Sequence, residues 1–309
     1  MMSRSMRRGC EVTGLQKSIR MRIQTTLIIL IALYLTVPAV QGQPTPAQDG
    51  IFKSLVDKGY EVLEFTVPVK GRQIRAVIAS PPKDELAADP ALLVTIGGAS
   101  THLIPPNDQP ANYFWKHGHR VVSFSFGSMP GDLGILRDNM LKGPDPTLDF
   151  IADAQGVIDY CIAQKWVKSD RVVVTGISRH AYLAFRLLAA DDRLKFGGGF
   201  APVTDWRDLV EFKEAREQTE IAGLRLSNYV DQLAGRNIFL CIGSHDERVS
   251  TLSCCQFFLD LNEANRKRGL GTSLVNFYVT PDPGHTCGDE WFERGMEILL
   301  TAVTADDKK

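Results

Sequence analysis

Short, wholly apolar runs separated by helix-length amphipathic stretches constrain this chain most. Leu92 to Ile96, Arg171 to Thr175 and Ile238 to Ile242 each offer three to five consecutive apolar residues with no polar alternation. Strands of that kind are buried on both faces, which happens when helices cover both sides of a parallel sheet. Between them, Leu148 to Trp166 places Phe150, Ile151, Ala154, Val157, Ile158, Cys161 and Ile162 at helical spacing, just after Pro146. Helices are also expected over Ala111–His117, Ala181–Ala190, Leu252–Lys267 and Glu290–Val303. Further strands are expected over Arg120–Phe126, Gly197–Val203 and Leu274–Val279. Val62–Val69 and Arg75–Ser80 read as a hairpin turning at Lys70-Gly71. The pattern is an α/β chain with about eight strands, mostly parallel.

Before residue 51 the pattern differs. Leu27 to Val40 is apolar, follows Arg20 and Arg22, and ends with small residues at Val40 and Gly42. This resembles a secretory signal cleaved before Gln43, with Met21 as the expected start. The run is shorter than the roughly 18–20 residues that cross a bilayer, so cleavage is favoured over an uncleaved anchor. Gln43 to Gly50 is expected to be a disordered leader, and residues 51–309 a single catalytic domain. Removing residues 1–42 takes away six basic residues and one acidic one, moving the net charge from −1 to −6. Neither value suits a nucleic-acid partner. Stable membrane insertion is not expected after cleavage, and nothing in the chain sets its oligomeric state.

Of six cysteines, Cys10 lies in the segment removed. The other five show no metal-ligand spacing, so neither metal nor other cofactor is expected. Buried free thiols are favoured for them, with a bridge involving Cys287 as the alternative.

The chemistry concentrates at Gly176-Ile177-Ser178-Arg179-His180. A serine between an apolar strand and a helix is lifted above the sheet as a nucleophile; the plain alternative is a helix N-cap. A nucleophilic serine needs a base, an acid to orient it and donors for the oxyanion. Asp246 follows the strand Ile238–Ile242, with Asp205 as the rival acid. His285 follows the last strand, in Pro281-Asp282-Pro283-Gly284-His285. Backbone N–H groups of Arg179 and of Gly98 or Ala99, in Ile96-Gly97-Gly98-Ala99-Ser100, are the oxyanion candidates. The Arg179 side chain reads as solvated or paired with a structural carboxylate, in preference to contacting an acidic substrate. Phe126, Trp206 and His180 are pocket candidates, with core packing an equal reading for Trp206; Trp291 and His102 are weaker ones. Asp205 to Asn228, charged and helical in composition, reads as a small insertion beside the site.

With these residues placed, the chain resembles the α/β-hydrolase superfamily, near its prolyl-oligopeptidase and dienelactone-hydrolase branch. The segment HDERV resembles the acid motif of prolyl oligopeptidases. The block GISRHAYLAFRLLAADDRLKFGGGFAPVTDW resembles secreted members whose elbow reads GxSRGG. The resemblance covers most of residues 60–305 and implies an α/β-hydrolase fold and a Ser178–Asp246–His285 triad. It implies a serine hydrolase acting on carboxylic esters, with a peptidase on short peptides as the alternative and a non-catalytic binding protein as the alternative of another class. The β-propeller of true prolyl oligopeptidases is expected to be absent, and the HGGG-type oxyanion motif is reduced to IGGA. His180 and Ala181 replace two glycines, and Gly197 to Gly199 are expected to make room for His180.

Overall fold

Lys70 and Gly71 both have positive φ, 46° and 80°, the backbone of a two-residue hairpin turn whose twist matches its strands. They join two strands of the single sheet, β2 (Glu61–Val69) and β3 (Arg72–Ser80), paired antiparallel from Val69↔Arg72 to Glu61↔Ser80. The computed structural model describes residues 43–47, 50–98, 101–104, 108–127, 129–271 and 274–305. The signal-like segment lies outside them, as does Ala99.

Among the described residues the sheet has nine strands. The others are β1 (Thr45–Pro46), β4 (Leu92–Ile96), β5 (Arg120–Phe124), β6 (Val172–Ile177), β7 (Phe196–Phe200), β8 (Asn237–Gly243) and β9 (Val275–Thr280), in the order β1-β2-β3-β5-β4-β6-β7-β8-β9. From β5 through β9 every pairing is parallel. The eight expected strands are all present. The ninth corrects the expectation of a disordered leader: Thr45 and Pro46 pair with Glu64 and Leu63.

Successive side chains of each strand enter opposite cores. In β4, Leu92, Val94 and Ile96 join one cluster and Leu93 the other. Among the described residues the helices of eight residues or more are α1 (Gln109–Lys116), α2 (Leu133–Lys142), α3 (Thr147–Ala163), α4 (Arg179–Ala190), α5 (Thr251–Lys267) and α6 (Asp289–Ala305). Residues of α2, α3, α4 and α5 fill the first cluster, and those of α1 and α6 the second. Among the described residues, no helix is long and apolar enough to cross a membrane.

The glycines of β7 serve the helices. A Cβ on Gly199 would lie 2.5 Å from Phe185, on Gly197 2.8 Å from Leu188, and on Gly198 2.9 Å from Leu299. They therefore let α4 and α6 seat closely on the sheet, and none of them makes the room expected for His180. Residues 205–228 contain only short turns, at Trp206–Asp208, Val210–Ala215, Thr219–Ala222 and Leu226–Tyr229. Glu211 ties them to the loop after β8 through two 2.7 Å bonds from Arg248.

Candidate active site

β6 runs straight into α4, and the chain reverses at Ser178 with φ 56° and ψ −123°. An L-residue is held there only when its surroundings over-determine it. The Ser178 N–H donates to Phe200 O at 2.8 Å, and its carbonyl accepts from Val203 N at 3.1 Å. Gly176 allows the turn because a Cβ there would lie 2.3 Å from backbone atoms of His180. Ser178 makes no capping bond with its side chain, so the N-cap reading fails and the hydroxyl is free to face outward.

It faces His285. Ser178 Oγ lies 2.9 Å from His285 Nε2, and His285 Nδ1 lies 2.8 Å from Asp246 Oδ2. An ionised carboxylate only accepts, so Nδ1 carries the proton and Nε2 accepts from the serine hydroxyl. The Asp246 side chain is fully buried while that of His285 is 29% exposed. Asp246 Oδ1 accepts from the N–H groups of Arg248 and Val249 at 2.9 and 3.1 Å. Burial pushes the Asp246 carboxyl up, but the His285 hydrogen bond and these N–H donors outweigh it, leaving it below the usual range. Thr251 braces the loop, its hydroxyl accepting from Asp246 N at 2.9 Å and donating to Gly243 O at 2.7 Å. The sequence reading missed Thr251, since a threonine in the first turn of a helix carries no local mark of this role.

The rival acid is committed elsewhere. Asp205 takes Arg207 at 2.6 Å and Arg225 at 3.0 Å. His245 pairs with Glu247 at the exposed surface.

Of the oxyanion candidates, Arg179 opens α4, where an N–H has no carbonyl four residues back. Gly98 sits at φ 106°, a conformation that favours glycine, and its carbonyl accepts from Ser123 Oγ at 2.5 Å. Ser123 Oγ also lies 3.2 Å from Thr95 O, so a buried hydroxyl fixes the end of β4. A polar residue inside the apolar run RVVSFSF was the signal for it.

The pocket candidates divide. The His180 ring packs edge-on to Phe126 at 5.8 Å and to His102 at 6.3 Å. His102 is buried in space that exists because Gly97 lacks a side chain; a Cβ would fall 1.7 Å from the ring. Burial, with Arg179 and His102 nearby, pushes His180 down to about 3, so the ring is neutral near pH 7. Trp206 is not a pocket residue. It is wholly buried between Tyr182 and Phe212, at 4.8 and 5.3 Å, because the chain after β7 turns inward over α4. Trp291 packs on Tyr278. The Arg179 side chain donates to Gly131 O at 2.6 Å, pinning the loop before α2 instead of a carboxylate.

Among the described residues no cluster of three or more His, Cys, Asp and Glu side chains could hold a metal. A polar cavity of about 440 Å³ lies on the 205–228 segment, lined by Asp205, Arg207, Asp208 and Arg216, and reaches neither Ser178 nor His285.

Residues 147–297 match the model of the prolyl oligopeptidase family. No curated protein matches the chain. Among solved structures, a puromycin-hydrolyzing peptidase of Mycobacterium tuberculosis superposes with a TM-score of 0.61 at 14% identity, over 77% of this chain and 38% of that one. The chain thus spans little more than a third of that peptidase. An acetyl xylan esterase from Paenibacillus sp. R4 gives 0.60 at 14% identity, over 85% and 89% of the two chains. An esterase of Pyrococcus furiosus gives 0.59 at 17% identity, over 85% and 98%.

Proposed function

We propose that this chain, whose residues 147–297 match the prolyl oligopeptidase family model and whose fold is shared with solved esterases, is a serine hydrolase that cleaves carboxylic esters through Ser178, His285 and Asp246. The observation that carries the reading is the continuous hydrogen-bonded path from Ser178 Oγ through His285 to Asp246, at 2.9 and 2.8 Å. His285 Nε2 takes the hydroxyl proton as Oγ attacks the carbonyl carbon. Asp246, kept ionised by its N–H donors, balances the imidazolium that forms. The N–H of Arg179 and that of Gly98 or Ala99 hold the oxyanion. The imidazolium then protonates the leaving alkoxide, and water, activated by the same ring, releases the acyl group from Ser178.

Ester substrates are favoured because the likeness to esterases runs over nearly their whole length, whereas the peptidase is matched over a minor part. Phe126 and His102 pack on the neutral His180 ring beside the elbow, a small surface that suits a compact acyl group. The second reading, a peptidase on short peptides, is favoured by the family match. A fluorophosphonate probe should label the protein and fail to label Ser178→Ala; folded protein that resists the probe would refute both readings. Hydrolysis of p-nitrophenyl acetate against a proline-linked anilide separates them. The protein is read as secreted, with cleavage before Gln43, and N-terminal sequencing of the exported form tests that position.

A further inference from the structure

Cys241 and Cys287 take no part in the hydrolytic path, yet they lie at its border. Cys241 sits in β8 and is wholly buried; Cys287, 46 residues later, is half-buried in the loop that carries His285. Their Sγ atoms are 3.4 Å apart and both are free thiols. The loop is attached to the same strand on the other side of His285. At Gly243 a Cβ would fall 2.3 Å from Gly284 O and 2.8 Å from Asp282 O, and Ser244 N donates to Asp282 O at 3.0 Å. His285 therefore sits between two points of docking, one of backbone on backbone and one of sulfur on sulfur.

We propose that Cys241 and Cys287 are a disulfide-forming pair, oxidised by a low-molecular-weight disulfide, and that the bond clamps the His285 loop to β8. The Cys287 thiolate attacks one sulfur of oxidised glutathione, forms a mixed disulfide and releases one glutathione thiolate. Cys241 attacks Cys287 Sγ and expels the second glutathione thiolate, which takes up the Cys241 proton as it leaves. Two protein thiols become one disulfide while one oxidised glutathione becomes two reduced molecules. The order follows from the site. The hydrogen bond from the Cys241 thiol lowers Cys287, which is also the more exposed, whereas burial raises Cys241 well above the ordinary thiol range. The bond stands apart from the catalytic reading; only its consequence for His285 rests on it.

The full chain, incubated with oxidised glutathione, alkylated and digested without reduction, should give one peptide pair joining Cys241 to Cys287 and two fewer alkylated thiols. The oxidised protein should melt about 5–10 °C higher than the dithiothreitol-treated one, because the bond closes a long loop in the unfolded chain. Both changes should vanish in Cys287→Ser, a half-buried position that spares the core if Cys241→Ser fails to fold. A glutathione adduct on Cys287 without a cross-link, or Cys241 joined to Cys254, would overturn the pair. A cross-link with an unchanged melting point would overturn the clamp. Loss of ester hydrolysis in both redox states would count against the triad and leave the disulfide untouched.

Discussion

The elbow that carries Ser178 and the loop that carries His285 meet at 2.9 Å from unlike supports. The elbow is backbone packed on backbone. Gly176 has no space above it, Ser178 hydrogen-bonds twice to the backbone at the end of β7, and α4 leans on the glycines of β7. The loop has Pro281, Pro283 and Gly284, with Thr286 N bonded to Gly284 O at 3.0 Å and Gly288 N to Asp282 Oδ2 at 3.2 Å. A position fixed by backbone sterics is set once, in folding. One held by backbone on a single side, as the His285 loop is at Gly243, stays open on the other to solvent, to its partners and, through Cys287, to redox conditions.

The largest effects treat the two halves alike. Ser178→Ala and His285→Ala should each lower kcat/KM for p-nitrophenyl acetate by about 10⁴–10⁶-fold, since triad members act as a unit. A His285→Ala variant within tenfold of the parent would break the comparison by removing its second member. Gly176→Ala then separates them. Its Cβ has only main chain to displace, so urea unfolding should show a loss of about 3 kcal/mol or more.

Acid should act on the elbow first. His180 is held down to about 3, so between that value and its unfolded value near 6.5 only the unfolded chain binds the proton. Its contribution is present above about pH 6.5 and is lost as pH falls toward 3. The slope within that window is at most about 1.4 kcal/mol per pH unit, the value for one proton. Asp246, depressed, contributes stability that is present above about pH 4 and is lost as pH falls through its lower folded value. Urea midpoints of His180→Gln should therefore vary less between pH 6.5 and 4.5 than those of the parent; equal slopes would show that the ring is not the source. The smallest change belongs to the loop. Gly284→Ala meets no atom within 4 Å, and its φ of 78° alone should cost about 1 kcal/mol. A loss as large as that of Gly176→Ala would erase the contrast.

Much of this was legible in the sequence for physical reasons. Parallel strands in the middle of the sheet announce themselves as apolar runs, and Asp246 lies just past one; His285 follows the edge strand β9, whose run is broken by Asn276. What escaped depends on partners distant in sequence. α2 buries only Leu136 and Met140, too thin a stripe to mark a helix, and its start rests on Asp132 accepting from Ile135 N at 2.9 Å. Trp206 looked like a pocket wall because it follows a strand end; only the placement of Tyr182 beneath it makes it core. The space for His180 could not be traced to Gly197–Gly199, because their missing side chains are answered by Phe185, Leu188 and Leu299.

β1 has a consequence for handling the protein in concentrated solution. Two residues, one of them a proline, form the outermost strand and cover Leu63 and Glu64 of the nine-residue β2 beside it, and Pro68 further along β2 removes another donor. A cut before Gln43 keeps that cover. Trimming seven or eight residues further would bare a ribbon of unpaired amides able to recruit a second molecule strand to strand. The choice of first residue in a recombinant form therefore governs whether preparations stay dispersed or slowly self-associate.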